Sequence, residues 1–208
     1  MATVNTRVFF SKTERAKYIS HLDQYGVFQR AVRKSGLAAW YTEGLSPRLY
    51  LQFMLPLSLG QEGLREAVDF RLLEEIPFGE TAKRLSEALP DDIRVIEVSK
   101  PVMKNTDIES AEYEISGEID YRKFREFCGK PAIITEKKTK KGVTEIDLKP
   151  YIYKLDIDDK ITLTLPAGND FNINPTLLLG AFESECGKTT GVKIVRTRIF
   201  AANGEIFR

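Results

Sequence analysis

At 208 residues the chain has room for one large domain or two small ones. Its 42% hydrophobic and 29% charged residues place it among globular chains and exclude a disordered polymer. A net charge of +1, from 31 basic and 30 acidic side chains, gives no whole-molecule pull toward nucleic acid or anionic lipid; such binding has to come from a local patch.

The two cysteines, Cys128 and Cys186, are far apart, and His21 is the sole histidine. That supply is too small for a structural zinc site or an iron–sulfur cluster, so neither a metal nor another cofactor is expected. Residues 1–5 run into a charged segment with no secretory apolar region, so structural disulfides are not expected. No apolar run approaches the ~20 residues that span a bilayer. The expected compartment is the cytoplasm, with no membrane partner.

In chain order, residues 6–11 are β-rich and predict a strand. Ser20 is placed to cap a helix, with Asp23 returning the capping-box bond. Leu22, Tyr25, Phe28 and Val32 recur at three- and four-residue steps, predicting one buried helical face, and Gly36 is the expected stop. Residues 38–41 predict a short strand, 42–47 a turn-rich loop, and 49–55 and 67–72 two further strands. A helix over 77–89 and a strand over 93–98 complete the unit.

The second half reads similarly. A strand is predicted over 111–119, a helix over 121–128 and a strand over 133–136. The lysine-rich turn 137–142 follows, then strands at 144–148, 151–156 and 160–165. Asn174-Pro175 opens a helix through Cys186, Pro175 suiting the first helical position, and 192–201 is the last strand. The expected fold class is α+β: two ferredoxin-like, split β-α-β lobes, each an antiparallel sheet covered by two helices. The lobes are expected over 1–103, which contains the motif at 18–23, and over 108–208. The halves share topology without residue identity.

Several residues are candidates for chemistry. His21, in a first helical turn, suits general acid–base work or anion binding; the plainer reading is a polar filler in the capping loop. Arg30 and Arg33, with Lys34, can form a phosphate-binding patch or simply complement the helix dipole. Tyr41, Arg48 and Tyr50, together with Trp40, combine stacking rings and a guanidinium as single-stranded RNA sites do. No RNP1-type run accompanies them, and Trp40 and Tyr41 also suit opposite faces of a sheet. The four lysines of 137–141 suit a nucleic-acid backbone, or a solvated turn. Gly187-Lys188-Thr189 lacks the upstream glycine of a phosphate loop and is expected to follow a helix, which excludes it as one.

The run Tyr18-Ile19-Ser20-His21-Leu22-Asp23, continued from Phe28 to Leu37, resembles the opening of the radical-SAM-linked domains of unknown function. Glu43-Gly44-Leu45-Ser46-Pro47, Leu55-Pro56-Leu57-Ser58-Leu59-Gly60, Asn174-Pro175-Thr176-Leu177-Leu178-Leu179 and Val195-Arg196-Thr197-Arg198 extend the resemblance over nearly the whole chain. It implies a bacterial domain that occurs behind radical SAM enzymes or as a separate chain encoded near ribonuclease G-type and ribosomal-protein genes. The three clustered cysteines of a radical SAM enzyme are missing. At Pro47-Arg48-Leu49 the sequence departs from the family, which often has a further histidine between prolines. Arg48 preserves anion binding there without acid–base chemistry.

Three functions follow as expectations. The first is a binding or adaptor module, without catalysis of its own, that presents RNA or a ribosome-related substrate to a radical SAM partner. The second is a metal-independent RNA-processing endonuclease with His21 as base. The third is a pure protein–protein scaffold.

Overall fold

The computed structural model describes residues 3–139, 142–168 and 170–208. The chain divides into two compact units, Met1–Asp107 with Arg208, and Ile108–Phe207. Both are α+β.

The first unit runs β1 (Val4–Lys12), α1 (His21–Lys34), β2 (Gln52–Phe53), β3 (Glu62–Leu72), α2 (Phe78–Ala88) and β4 (Ile93–Ser99). Its strands lie in the order β4-β1-β3, with β2 on the other edge of β3, and all these pairings are antiparallel. Val8 sits opposite Val68 on one side and Val98 on the other. Because side chains alternate along a strand, Val8 and Phe10 enter a core with Phe28, Val32, Val68, Phe70, Leu72 and Leu85. Arg7 and Phe9 point the opposite way, yet they are just as buried.

Ser20 caps α1 by accepting from the Asp23 backbone N–H at 3.1 Å. The return bond differs from the expected box. The Asp23 carboxylate accepts from the Ser20 hydroxyl at 2.7 Å, not from its backbone N–H. Gly36, at φ 68°, takes the left-handed conformation that ends the helix. Leu22 corrects the predicted face: it is exposed, and the buried residues are Gln24, Phe28, Ala31 and Val32. The reason is geometric. Two consecutive three-residue steps drift by about 120° at roughly 100° per residue, so Leu22 has left the stripe that Phe28 occupies.

The strand predicted over 49–55 is shorter than expected. Only Gln52 and Phe53 join the ladder of β3, while Leu49 bridges Tyr41. Residues 38–50 thus form an arm that folds on itself and also hydrogen-bonds the end of β3, through Trp40 N–H to Arg71 O at 2.8 Å.

The second unit runs β5 (Ile108–Glu118), α3 (Tyr121–Cys128), β6 (Ile134–Thr139), β7 (Gly142–Asp147), β8 (Lys154–Ile157), β9 (Ile161–Pro166), α4 (Pro175–Cys186) and β10 (Thr190–Ala201). Its main sheet has the order β10-β5-β9-β8, again antiparallel, and β6 and β7 form a separate hairpin. Asp120 caps α3 through Lys123 N–H, and Asn174 caps α4 through Thr176 N–H with Pro175 at the first helical position. Phe182 of α4 meets Phe124 and Phe127 of α3, with centroids 5.1 and 5.6 Å apart. Gly117, at φ 145°, lets β5 pass close to β10: a Cβ there would lie 2.9 Å from Val192 Cα.

Part of the stretch predicted as a lysine-rich turn belongs to strands. β6 extends through Thr139 and β7 resumes at Gly142, while Lys140 and Lys141 lie outside the described residues. Lys137 is committed within the unit, donating to Asn172 O at 2.8 Å and lying over the Phe171 ring. Gly187-Lys188-Thr189 follows α4, and its Thr189 hydroxyl and N–H are tied to Glu183. That is the reverse of the order a phosphate loop needs.

Candidate functional site

In the first unit, the end of β1 leads into a 3-10 turn, Glu14–Tyr18, and then into α1. The chain after β2 returns beside that turn, because Gly60 N–H donates to Lys17 O at 2.8 Å. Segments 18–23 and 55–60, distant in sequence, therefore share one corner of the unit.

The corner rests on buried polar groups. Lys12 is fully buried and donates to the Ile19 carbonyl at 3.1 Å, which pins the chain just ahead of the helix cap. Gln24, Gln61, Glu62 and Glu66 are buried as well. Lys17 reaches Glu62 at 3.1 Å, and this bond to the carboxylate raises the lysine pKa against the opposing effect of burial. Buried charges have to be paired to be tolerated, so these contacts fix the backbone that carries the motif.

His21 lies at the start of α1, exposed on one side, with its ring edge-on to Phe53 at 5.2 Å. Burial against its neighbours lowers its pKa, and the positive charge of Lys12 lowers it further. The imidazole is therefore neutral at pH 7, able to accept a proton or hydrogen-bond a partner. Among the described residues no side chain hydrogen-bonds to it, so nothing orients it as the second member of a catalytic pair would. Tyr18 and Leu22, close to it in sequence, and Leu59, next to Gly60, are exposed by 67%, 82% and 66%.

The remaining candidates occupy other places. Arg30 and Arg33 are exposed on α1, and Arg33 lies 3.4 Å from the Tyr41 hydroxyl. Tyr41 packs against the helix-side core. Tyr50 is on the opposite side of the arm, edge-on to Trp40 at 6.0 Å. Arg48 is exposed in the loop between them, where its backbone N–H donates to the Thr42 hydroxyl. The arm's alternation thus separates Tyr41 from Tyr50, and among the described residues no hydrogen bond or ring contact joins His21 to Arg48 or Tyr41.

Sequence reasoning missed Lys12, Phe53 and Glu62 at the corner, and Arg71 beside Trp40 and Tyr50. Arg71 had a signal, the alternation between core residues Phe70 and Leu72. Lys12 had none, because its acceptor is a carbonyl seven residues on. Among the described residues no group of three or more His, Cys, Asp or Glu is placed to hold a metal. No helix of those residues is long and apolar enough to cross a membrane.

No curated protein matches the sequence. Among solved structures, the crystal structure of an unknown protein from Galdieria sulphuraria is similar at 13% identity and a TM-score of 0.31, covering 93% of this chain and 96% of that one. The model of a family described as an uncharacterized protein conserved in bacteria, DUF2344, matches residues 5–175, and the chain belongs to that family.

Proposed function

We propose that the protein is a cytoplasmic binding or adaptor module built from two ferredoxin-like lobes. Its docking face is the corner around His21, and it presents RNA or a ribosome-related substrate to a radical SAM partner without catalysing a reaction alone. The two-lobe description draws on the strand orders β4-β1-β3-β2 and β10-β5-β9-β8, each threaded by two helices at equivalent points. The radical SAM partner comes from the resemblance carried by segments 18–23 and 55–60.

The observation that carries the docking role is the convergence of those two segments through the Gly60–Lys17 bond, with Tyr18, Leu22 and Leu59 exposed around them. Large apolar side chains left exposed beside a base of buried, paired polar groups are what a protein interface uses as anchors. His21, neutral and free to donate or accept one hydrogen bond, supplies specificity within such a patch.

The test is titration of the purified chain with the purified radical SAM protein encoded in the same genome, followed by calorimetry. A stoichiometric complex is expected. No heat and no complex at micromolar concentrations of both proteins would remove the adaptor reading.

A further inference from the structure

The face of the first unit turned away from α1 and α2 carries a separate arrangement. Phe70 and Leu72 of β3 enter the helix-side core, so Asp69 and Arg71 project the other way. On the adjoining arm, Tyr41 and Leu49 face that same core, which leaves Trp40 and Tyr50 beside Arg71. The Arg71 guanidinium carbon lies 5.1 Å from the Trp40 ring centroid and 4.6 Å from that of Tyr50. The rings meet at 66°, and the Tyr50 hydroxyl donates to Gln52 Oε1 at 2.7 Å, which holds the phenol in place.

What distinguishes this arginine is what it does not bind. Asp69, two residues away on the same face, is engaged by buried Arg7 through bonds of 2.7 and 2.8 Å. Among the described residues, Arg71 has no carboxylate partner and no hydrogen-bond acceptor; its contacts are the two rings. Contact with aromatic rings uses none of the guanidinium N–H groups, which stay able to donate. A half-buried cation held against two rings, with its donors uncommitted among the described residues, is prepared for an anion. Flat aromatic surface beside it favours an anion that carries a base.

We propose that Trp40, Arg71 and Tyr50 form a site for single-stranded RNA, with a backbone phosphate on the edge of Arg71 and an unpaired base stacked on Trp40. This rests on the reading of the chain as a binding module and supplies the place where its cargo sits. Exposed Arg48, in the loop of the same arm, adds positive charge along the strand's path.

The experiment is fluorescence anisotropy of the full chain with labelled oligoadenylate and oligouridylate over a salt series. Affinity that falls as salt rises is expected. Trp40→Ala weakens it roughly ten-fold or more, and Trp40→Phe, which keeps a flat ring, retains most of it. Arg71→Lys keeps the charge but loses the planar donor edge, and weakens binding several-fold. Lys137→Ala, in the second unit, leaves it unchanged. Equal affinity across wild type, Trp40→Ala and Arg71→Lys would overturn the proposal, as would equal losses in Trp40→Phe and Trp40→Ala. Absence of RNA binding alongside an intact complex with the radical SAM protein would overturn it too, while leaving the docking role standing.

Discussion

The two units follow one order of elements, and both carry an excursion at the same point, between the first helix and the next strand of the main sheet. In the first unit the excursion is the arm of residues 38–50, which hydrogen-bonds to β3 and sets Trp40 and Tyr50 around Arg71. In the second it is the β6–β7 hairpin, whose strands pair only with each other. An excursion tied to the sheet inherits the alternation of side chains and so aims them at defined faces. The hairpin alternates as well, but its ladder is closed on itself and is held to the unit by side-chain contacts such as Lys137 to Asn172 O, and its Ile134 and Val143 stand exposed. The difference teaches where to look for function: in the first unit the main sheet itself aims the side chains of the excursion, and in the second the excursion is a hairpin paired with itself.

The largest expected effect contrasts the ion pairs of the two units. Arg7→Ala strands Asp69 and removes a bond to the Arg208 carbonyl, at a cost of about 3–5 kcal/mol by chemical denaturation. Lys160→Ala breaks the half-exposed pair with Glu114 and costs no more than about 1 kcal/mol. Similar losses in both variants would break the distinction.

The cysteines sharpen it from the other side. Burial pushes the Cys128 thiol up to about 12, against a smaller opposing effect from Lys149. In a thiol-labelling assay at pH 8, half-buried Cys186 reacts in the native protein, whereas Cys128 reacts only on unfolding. Rapid labelling of both would mean that the α3–α4 core opens readily.

The smallest effect is a pH dependence confined to the first unit, because the second contains no histidine. His21 has a folded pKa below its ordinary 6.5, so the unfolded chain takes up the proton first as pH falls. The stability this group contributes is present above pH 6.5 and is lost as pH falls through the lowered value. A series of melting temperatures between pH 7.5 and 5 should show a shallow decline that His21→Gln flattens. An unchanged slope in His21→Gln would contradict the assigned environment.

Much of the framework was legible in the sequence, because helix caps and strand alternation are local signals. Ser20, Asn174 and Pro175 marked helix starts, and α3 occupies the residues its amphipathic pattern predicted. What failed depends on partners distant in sequence. Leu22 looked like core until helical drift carried it off the stripe. Residues 49–55 looked like one strand, but Leu49 pairs with Tyr41 and leaves β3 only two residues to hold. The expected cluster of Tyr41, Arg48 and Tyr50 mixed the arm's two faces, since Tyr41 and Tyr50 are separated by the alternation that joins Tyr50 to Trp40. Arg71 completes that group from another strand, and only folding brings it there.

The account turns on the claim that the corner around His21, and not the second unit, is the docking face. The most direct measurement is the affinity of the purified radical SAM protein for wild type, the double variant Leu22→Asp/Leu59→Asp, and Val143→Asp on the β6–β7 hairpin. All three substituted positions are exposed, so the fold should persist in each variant. The account predicts binding lost by at least ten-fold in the double variant and unchanged in Val143→Asp. Binding that survives Leu22→Asp/Leu59→Asp, or that is lost only with Val143→Asp, would contradict it.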